Sequence, residues 1–107
     1  MNNIIITTTP DFPGKQYEVL GMVMGSVVRA KHIGKSFLAS MNAIGGGEIT
    51  IYTELLNEAR TTATQRMVAH AHQFGADAII NARYQSCSVM DGSSEVVAYG
   101  TAIKFIG

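Results

Sequence analysis

One long amphipathic pattern constrains this chain more than any other feature. From Thr50 to Phe74 an apolar residue recurs every four positions, and neither Gly nor Pro interrupts the run. The apolar positions are Ile51, Leu55, Ala59, Ala63, Met67 and Ala71, widened by Leu56 and Phe74. This period predicts an amphipathic helix over 50–74. Gly75 follows at once and is expected to end the helix with a positive φ angle.

A nearly continuous apolar run from Tyr17 to Val28 precedes the helix and predicts the first long strand. Because apolar residues occupy both faces of this strand, both faces are expected to be covered. Gly21 and Gly25 lie on the same face. Such glycines mark a bulge, a strong curve or another backbone that comes close.

The remaining segments complete the order of elements. A β-branched run at Asn3–Thr9 predicts a short strand, and apolar spacing at Ile33–Ile44 predicts a short helix. After the main helix come a strand over Ala78–Met90, a hairpin turn over Asp91–Ser94 and a last strand over Glu95–Ile106. The order predicts a single α+β domain over 1–107, with helices packed on one face of a largely antiparallel, curved sheet.

Charge is scarce in this sequence. Eight basic and eight acidic residues cancel, so no nucleic acid and no acidic membrane surface is expected as a partner. Charged residues make up 15% of the chain and hydrophobic residues 47%, whereas about 25% of residues in typical domains are charged. A small domain has much surface to cover, so part of this surface is expected to be buried in another subunit.

The single cysteine, Cys87, excludes an internal disulfide and fits a reducing compartment. The first residues lack the basic region, the long apolar run and the cleavage site of a signal peptide. No uncharged stretch has the length of a membrane span. The expected location is the cytoplasm.

Side chains with metal-binding chemistry are scattered along the chain: His32, His70, His72, Cys87, Met22 and Met24. His70 and His72 point about 200° apart on a helix, so they cannot bind one ion together. His32 and Cys87 could join either histidine only through the fold. Met22 and Met24 share a strand face and could bind a soft metal such as Cu(I). Solvated, interface or packing side chains are the favoured interpretation, and metal binding stays open.

Catalytic candidates are few. Arg60 is the long cation near the middle of the predicted helix, and Asp77 follows the helix cap. No second carboxylate and no nucleophile with a base accompanies them, so an enzyme is disfavoured.

The glycines Gly45–Gly47 precede a helix N-terminus that could hold an anion, but Glu48 places a negative charge there and an inter-helix turn is favoured.

Short motifs in a fixed order relate the chain to a known family. They are Thr8-Thr9-Pro10, Gly21, Gly25, Gly45-Gly46, Tyr52, Leu55, Ala59-Arg60, Ala63, Gly75-Ala76-Asp77-Ala78, Tyr84 and Gly100-Thr101-Ala102. With these motifs the sequence resembles the YbjQ-like proteins, small bacterial proteins often labelled heavy-metal-binding. The resemblance implies a fold related to dodecin-like subunits and a homo-oligomeric ring, favouring a pentamer.

Two functions follow as expectations. The first is a non-enzymatic oligomeric scaffold or binding protein whose ring forms a shared pocket for a small ligand. The alternative is a metal-binding or metal-responsive protein with His, Cys or Met ligands gathered at subunit interfaces. Small residues of the motifs (Ala59, Ala63, Gly100 and Ala102) are interpreted as an assembly signature that lets helix and strand approach closely.

Overall fold

The computed structural model describes residues 3–30, 47–90 and 93–107. Its elements are β1 (Ile5–Ile6), β2 (Tyr17–Ala30), α1 (Gly47–Gln73), β3 (Ala78–Met90) and β4 (Ser93–Phe105). The strands form one sheet in the order β1-β3-β4-β2. Strand β4 pairs antiparallel with β2 and β3, whereas β1 pairs parallel with β3. The described chain is therefore α+β, with one helix on a mixed four-stranded sheet.

The predicted elements match the observed ones closely in the long segments. Helix α1 begins at Gly47, three residues before the predicted start, and ends at Gln73. Strand β3 has the predicted bounds, and β4 begins at Ser93, where it pairs with Ala30 and Met90. The short strand covers only two of the residues predicted for it. The predicted helix over 33–44, the turn residues 91–92, His32 and the pair Gly45-Gly46 lie outside the described residues.

Helix α1 ends at a glycine cap, as predicted. Gly75 has a φ angle of 72°. Its N–H donates to the carbonyl of His72 at 3.0 Å, and the N–H of Ala76 donates to the carbonyl of Ala71 at 3.2 Å. This pair of bonds is a Schellman motif, which satisfies carbonyls that the helix end would leave free.

The main core lies between α1 and the sheet. The predicted stripe supplies Ala59, Ala63, Met67 and Ala71, all nearly inaccessible to solvent. The sheet supplies Val23, Val27, Val96, Ala98 and Ala102. Alternate residues of β2 and β4 face the helix, as a period of two requires. The stripe is less buried towards its N-terminal end, where Leu55 and Leu56 are 37% and 43% exposed.

Two glycines permit this close packing. A Cβ on Gly25 would meet the backbone carbonyl of Ala63 and the backbone N–H of Met67 on α1. A Cβ on Gly100 would lie 2.6 Å from Cγ2 of Ile79. The predicted close approaches therefore occur within one chain. Gly21 has the other predicted role, because it lies at a bulge in β2 with a φ angle of 140°.

The sheet face turned away from α1 is only partly covered. At one end a second core of Ala78, Ile80 and Ile103 packs against Phe12, Tyr17 and Phe105. The rings of Phe12 and Phe105 lie 5.0 Å apart. The segment before β2 thus folds over this end. Beyond it the face is open, so within one chain the predicted two-sided coverage of β2 holds at one end only.

The chain is elongated. Its Cα radius of gyration is 17.4 Å and its extents are 58 × 25 × 24 Å, whereas a compact domain of this size has a radius of gyration near 13 Å. An elongated chain leaves more of its apolar surface accessible. Within the described residues, no helix has both the length and the apolar character that crossing a membrane requires.

Candidate functional site

The open sheet face carries an apolar groove of about 480 Å³. Its lining residues are Met22, Met24, Gln85, Cys87, Glu95, Val97 and Tyr99. On β2 the residues that alternate with the buried valines lie on this open face. Met22 and Met24, which line the groove, are 59% and 45% exposed, and Val28 further along the face is 56% exposed. Large apolar side chains exposed side by side are unusual on a soluble monomer and mark a binding surface.

Cys87 and Met24 lie far apart along the groove within one chain. Met24 pairs with Tyr99, whereas Cys87 pairs with Glu95 four residues away along β4. Four residues span about 13 Å along a strand and two strand spacings add nearly 10 Å across it, so Met24 and Cys87 lie about 16 Å apart. Ligands of one ion must lie far closer together. The Cys87 thiol instead donates to Oε1 of Glu95 at 3.8 Å.

The two described histidines have different surroundings. Nδ1 of His70 accepts the backbone N–H of Met24 at 3.1 Å. An imidazole that accepts at Nδ1 carries its proton on Nε2, so neither nitrogen is free to bind a metal in this state. His72 is exposed on another side of α1. Among the described residues, no three His, Cys, Asp or Glu side chains are grouped so as to hold a metal ion.

His70 and Arg66 close the outer edge of β2. Nη1 of Arg66 donates to the carbonyl of Ser26 at 2.6 Å, next to the bond between His70 and the N–H of Met24. Both backbone groups point away from β4, where a bare edge would offer them to another strand. Sequence reasoning missed this role. A usable signal existed, because Arg66 and His70 are four residues apart and flank the buried stripe on one side.

Arg60 and Asp77 lie far apart. Thirteen helical residues from Arg60 to the end of α1 span about 20 Å. Arg60 donates to Oδ1 of Asn57 at 2.5 Å. Oδ2 of Asp77 accepts the backbone N–H of Phe105 at 2.8 Å. The structure therefore does not bring them together, and Asp77 binds a main-chain N–H at the end of β4.

A second concavity, which we call the edge cleft, lies between α1, β3 and the residues around β1. It measures about 160 Å³ and is lined by Ile6, Thr7, Thr8, Met67, Ala82, Arg83 and Tyr84. Sequence reasoning did not identify this cleft, although Thr8 and Tyr84 belong to the motifs of the resemblance. The other motif residues with described surroundings line neither cavity.

Comparisons with known proteins agree over nearly the whole chain. A family model described as "Putative heavy-metal-binding" matches residues 4–106. A UPF0145 protein of Vibrio parahaemolyticus is 52% identical, over 96% of this chain and 99% of its own length. A UPF0145 protein of Thermosipho africanus is 49% identical, over 94% of both chains.

A solved structure is similar in fold. It is a protein of unknown function of the DUF74 family from Pediococcus pentosaceus, with a TM-score of 0.62 and 20% identity, over 96% of this chain and 98% of that one. At this identity the likeness shows the fold alone. The family match and the close relatives show more, and the chain belongs to this family of YbjQ-like proteins.

Proposed function

We propose that this chain is the single-domain subunit of a closed, cytoplasmic homo-oligomer with a dodecin-like subunit fold, and that the assembly binds a small ligand without catalysing a reaction. The family resemblance favours five subunits. The observation that carries this proposal is the open face of β2, where Val19, Met22, Met24 and Val28 are each 45–60% exposed. Covering these four half-exposed side chains would contribute roughly 1 kcal/mol each.

A second copy of the chain is the occupant that this face fits best. The groove is lined mainly by apolar side chains and carries one carboxylate, that of Glu95. With 15% charged residues the chain has few groups to keep such a face in water. The elongated subunit also leaves the face accessible along its length.

The groove itself would become the ligand pocket when a neighbour partly covers it. Its volume of about 480 Å³ falls within the range of small-molecule pockets, about 300–1,000 Å³. Apolar walls with a few polar groups at one end are typical of such pockets. This pocket is shared between subunits, as the first expectation from the sequence requires.

Light scattering after size exclusion, at micromolar concentration, tests the assembly. The expected mass is five times the 11.5 kDa subunit mass. Met24→Glu places a charge on the open face and should shift the mass towards that of the monomer. Thr61→Glu, which adds the same charge on the exposed side of α1, should leave the mass unchanged. A wild-type monomer, or a Met24→Glu variant with unchanged mass, would contradict the proposal. A dimer would support burial of the face and contradict the ring.

Metal binding between subunits is the second candidate. The observation that favours it is the position of Met22, Met24 and Cys87 on one open face, because a neighbouring copy could bring sulfur atoms together that one chain holds apart. Elemental analysis of protein purified without a metal-affinity tag tests for a resident metal. A Cu(I) titration should then give a sub-micromolar site that Cys87→Ser and Met24→Leu both remove. A site that survives both changes would contradict sulfur ligation in the groove.

A further inference from the structure

We propose that the edge cleft binds a small organic monocarboxylate, with Arg83 as the group that holds the carboxylate. This site lies at the opposite edge of the sheet from β2 and does not depend on the proposed assembly. Its lining combines one guanidinium, two threonines and an apolar floor. None of the lining residues carries a negative charge. The charge of the cleft therefore complements a single anionic group.

A β-bulge lies next to Arg83, whose guanidinium reaches the cleft from the edge of β3. Between Ile80 and Arg83 strand β3 contains one residue more than its partner strand, and Asn81 has a φ angle of 57°. The bulge is held by the N–H of Asn81, which donates to the carbonyl of Thr9 at 2.8 Å, and by the N–H of Ala82, which donates to the carbonyl of Thr7 at 2.9 Å. A left-handed residue other than Gly costs about 1 kcal/mol or more. Bulges re-aim side chains and are common beside functional sites.

The guanidinium of Arg83 is fixed by one nitrogen and open at the others. Nη1 donates to the carbonyl of Thr8 at 3.0 Å and to the carbonyl of Ala82 at 2.9 Å. An arginine has five N–H donors, so Nε and Nη2 keep three. No described residue of the chain accepts from these three. The Nε–Nη2 side of a guanidinium matches the two oxygens of a carboxylate, and two parallel hydrogen bonds result.

The walls of the cleft favour an apolar body behind the carboxylate. Ile6, Met67 and Ala82 line it with hydrocarbon and a thioether. The hydroxyl of Thr64 donates to the carbonyl of Arg60 at 2.8 Å, so in the 2.7 Å contact between Thr64 and Tyr84 the Tyr84 hydroxyl is the donor. Because the hydroxyl proton of Tyr84 is used in this bond to Thr64, Tyr84 contributes its ring to the cleft.

The size of the cleft limits the ligand. Its volume of about 160 Å³ is close to that of an engineered cavity of about 150 Å³ that takes up benzene. A carboxylate with a body the size of one benzene ring or a short alkyl chain fits this space. Inorganic phosphate offers no apolar surface to the walls and carries more charge than one arginine balances.

Isothermal titration of the full chain, in whatever assembly it forms, tests the proposal with three probes: benzoate, benzamide and inorganic phosphate. We expect benzoate to bind at least tenfold more tightly than benzamide, which has the same ring without the charge. Phosphate should bind at least tenfold more weakly than benzoate. Equal affinity for benzoate and benzamide, or for benzoate and phosphate, would overturn the proposal, as would no detectable binding of benzoate at millimolar concentration.

Variants then locate the site. Arg83→Gln should weaken benzoate binding at least tenfold, and Arg83→Lys, which keeps the charge but loses the paired donors, should also weaken it. Arg66→Gln is the matched control, because Arg66 likewise donates to a backbone carbonyl but lies at the other edge of the sheet. Circular dichroism verifies that each variant is folded. Benzoate binding that survives both changes at Arg83, or that Arg66→Gln removes equally, would refute the assignment.

Discussion

Replacing Gly25 by alanine tests how closely α1 lies on β2. An added Cβ would come 2.6 Å from Cβ of Arg66 and would also meet the backbone of Ala63 and Met67. Carbon atoms in contact are ordinarily about 3.5–4.0 Å apart, so the helix would have to retreat by about 1 Å. A rotamer change cannot relieve a clash with a helix backbone. The retreat would loosen the core that buries Ala63 and Met67.

The expected cost of Gly25→Ala is about 3 kcal/mol, at the upper end of the range for overpacked cores. For a domain of this size that loss lowers Tm by about 12 °C or more. Thermal and urea unfolding followed by circular dichroism, at one fixed protein concentration, measure it. Gly14→Ala is the matched control, because Gly14 has a φ angle of 86° and nothing within 4 Å of an added Cβ, so only backbone strain of about 1 kcal/mol applies. A loss for Gly25→Ala no larger than that for Gly14→Ala would refute the close approach.

Three further changes probe single contacts by urea unfolding. Gly75→Ala should lower the free energy of unfolding by about 1 kcal/mol from backbone strain alone, since nothing lies within 4 Å of an added Cβ. An unchanged urea midpoint would contradict the role of Gly75 as the helix cap. His70→Ala should lower the free energy of unfolding by about 1 kcal/mol because the N–H of Met24 loses its acceptor. The control His72→Ala should change it by no more than about 0.5 kcal/mol. Equal losses would contradict the hydrogen bond between His70 and Met24. Asp77→Ala should lower the free energy of unfolding by about 2 kcal/mol, and Asp77→Asn clearly less, because an amide oxygen can still accept the N–H of Phe105. Equal losses for the two variants would contradict this hydrogen bond.

Local patterns predicted the parts of the fold that local physics decides. The stripe ending at Ala71 and the glycine after it specify both the buried face of α1 and its cap, because a helical period and a positive φ angle depend on neighbouring residues. For Gly21 and Gly25 the sequence left three roles open. The structure assigns a bulge to the first and a close approach to the second. The second role depends on which residues of α1 lie opposite Gly25 in the fold, and the alternation of residues along β2 does not predict that.

The bulge at Asn81 shows why the faces of β3 could not be assigned from the sequence. In a regular strand, residues two apart share a face, so a period of two places Cys87 with Ile79. One extra residue shifts this alternation. In the structure Ile79 and Ala82 face α1, whereas Ile80 lies on the open face, where Cys87 and Gln85 line the groove. An asparagine that tolerates a left-handed backbone was the available signal, but its partners around β1 are more than 70 residues away in sequence.

The motifs that relate the chain to its family mostly stabilise the fold of the single chain. The absence of a side chain at Gly25 lets the backbone of α1 lie close to β2, and the absence of one at Gly100 leaves room for Ile79. Gly75 ends the helix, and Asp77 accepts a main-chain N–H. Residues with such roles identify a fold without identifying a reaction or a ligand. A shared heavy-metal label therefore does not follow from the shared motifs, and it needs its own test at the sulfur-lined groove.

Thr8 and Tyr84 differ from the other motif residues, because both line the edge cleft. Tyr84 is 53% exposed, so burial in the core does not account for a tyrosine at this position. Its hydroxyl is bonded to α1 while its ring forms a wall of the cleft. The carbonyl of Thr8 holds the guanidinium of Arg83. Among the described motif residues, these two are the ones whose positions a bound ligand would explain, and benzoate binding that depends on Arg83 would supply that explanation.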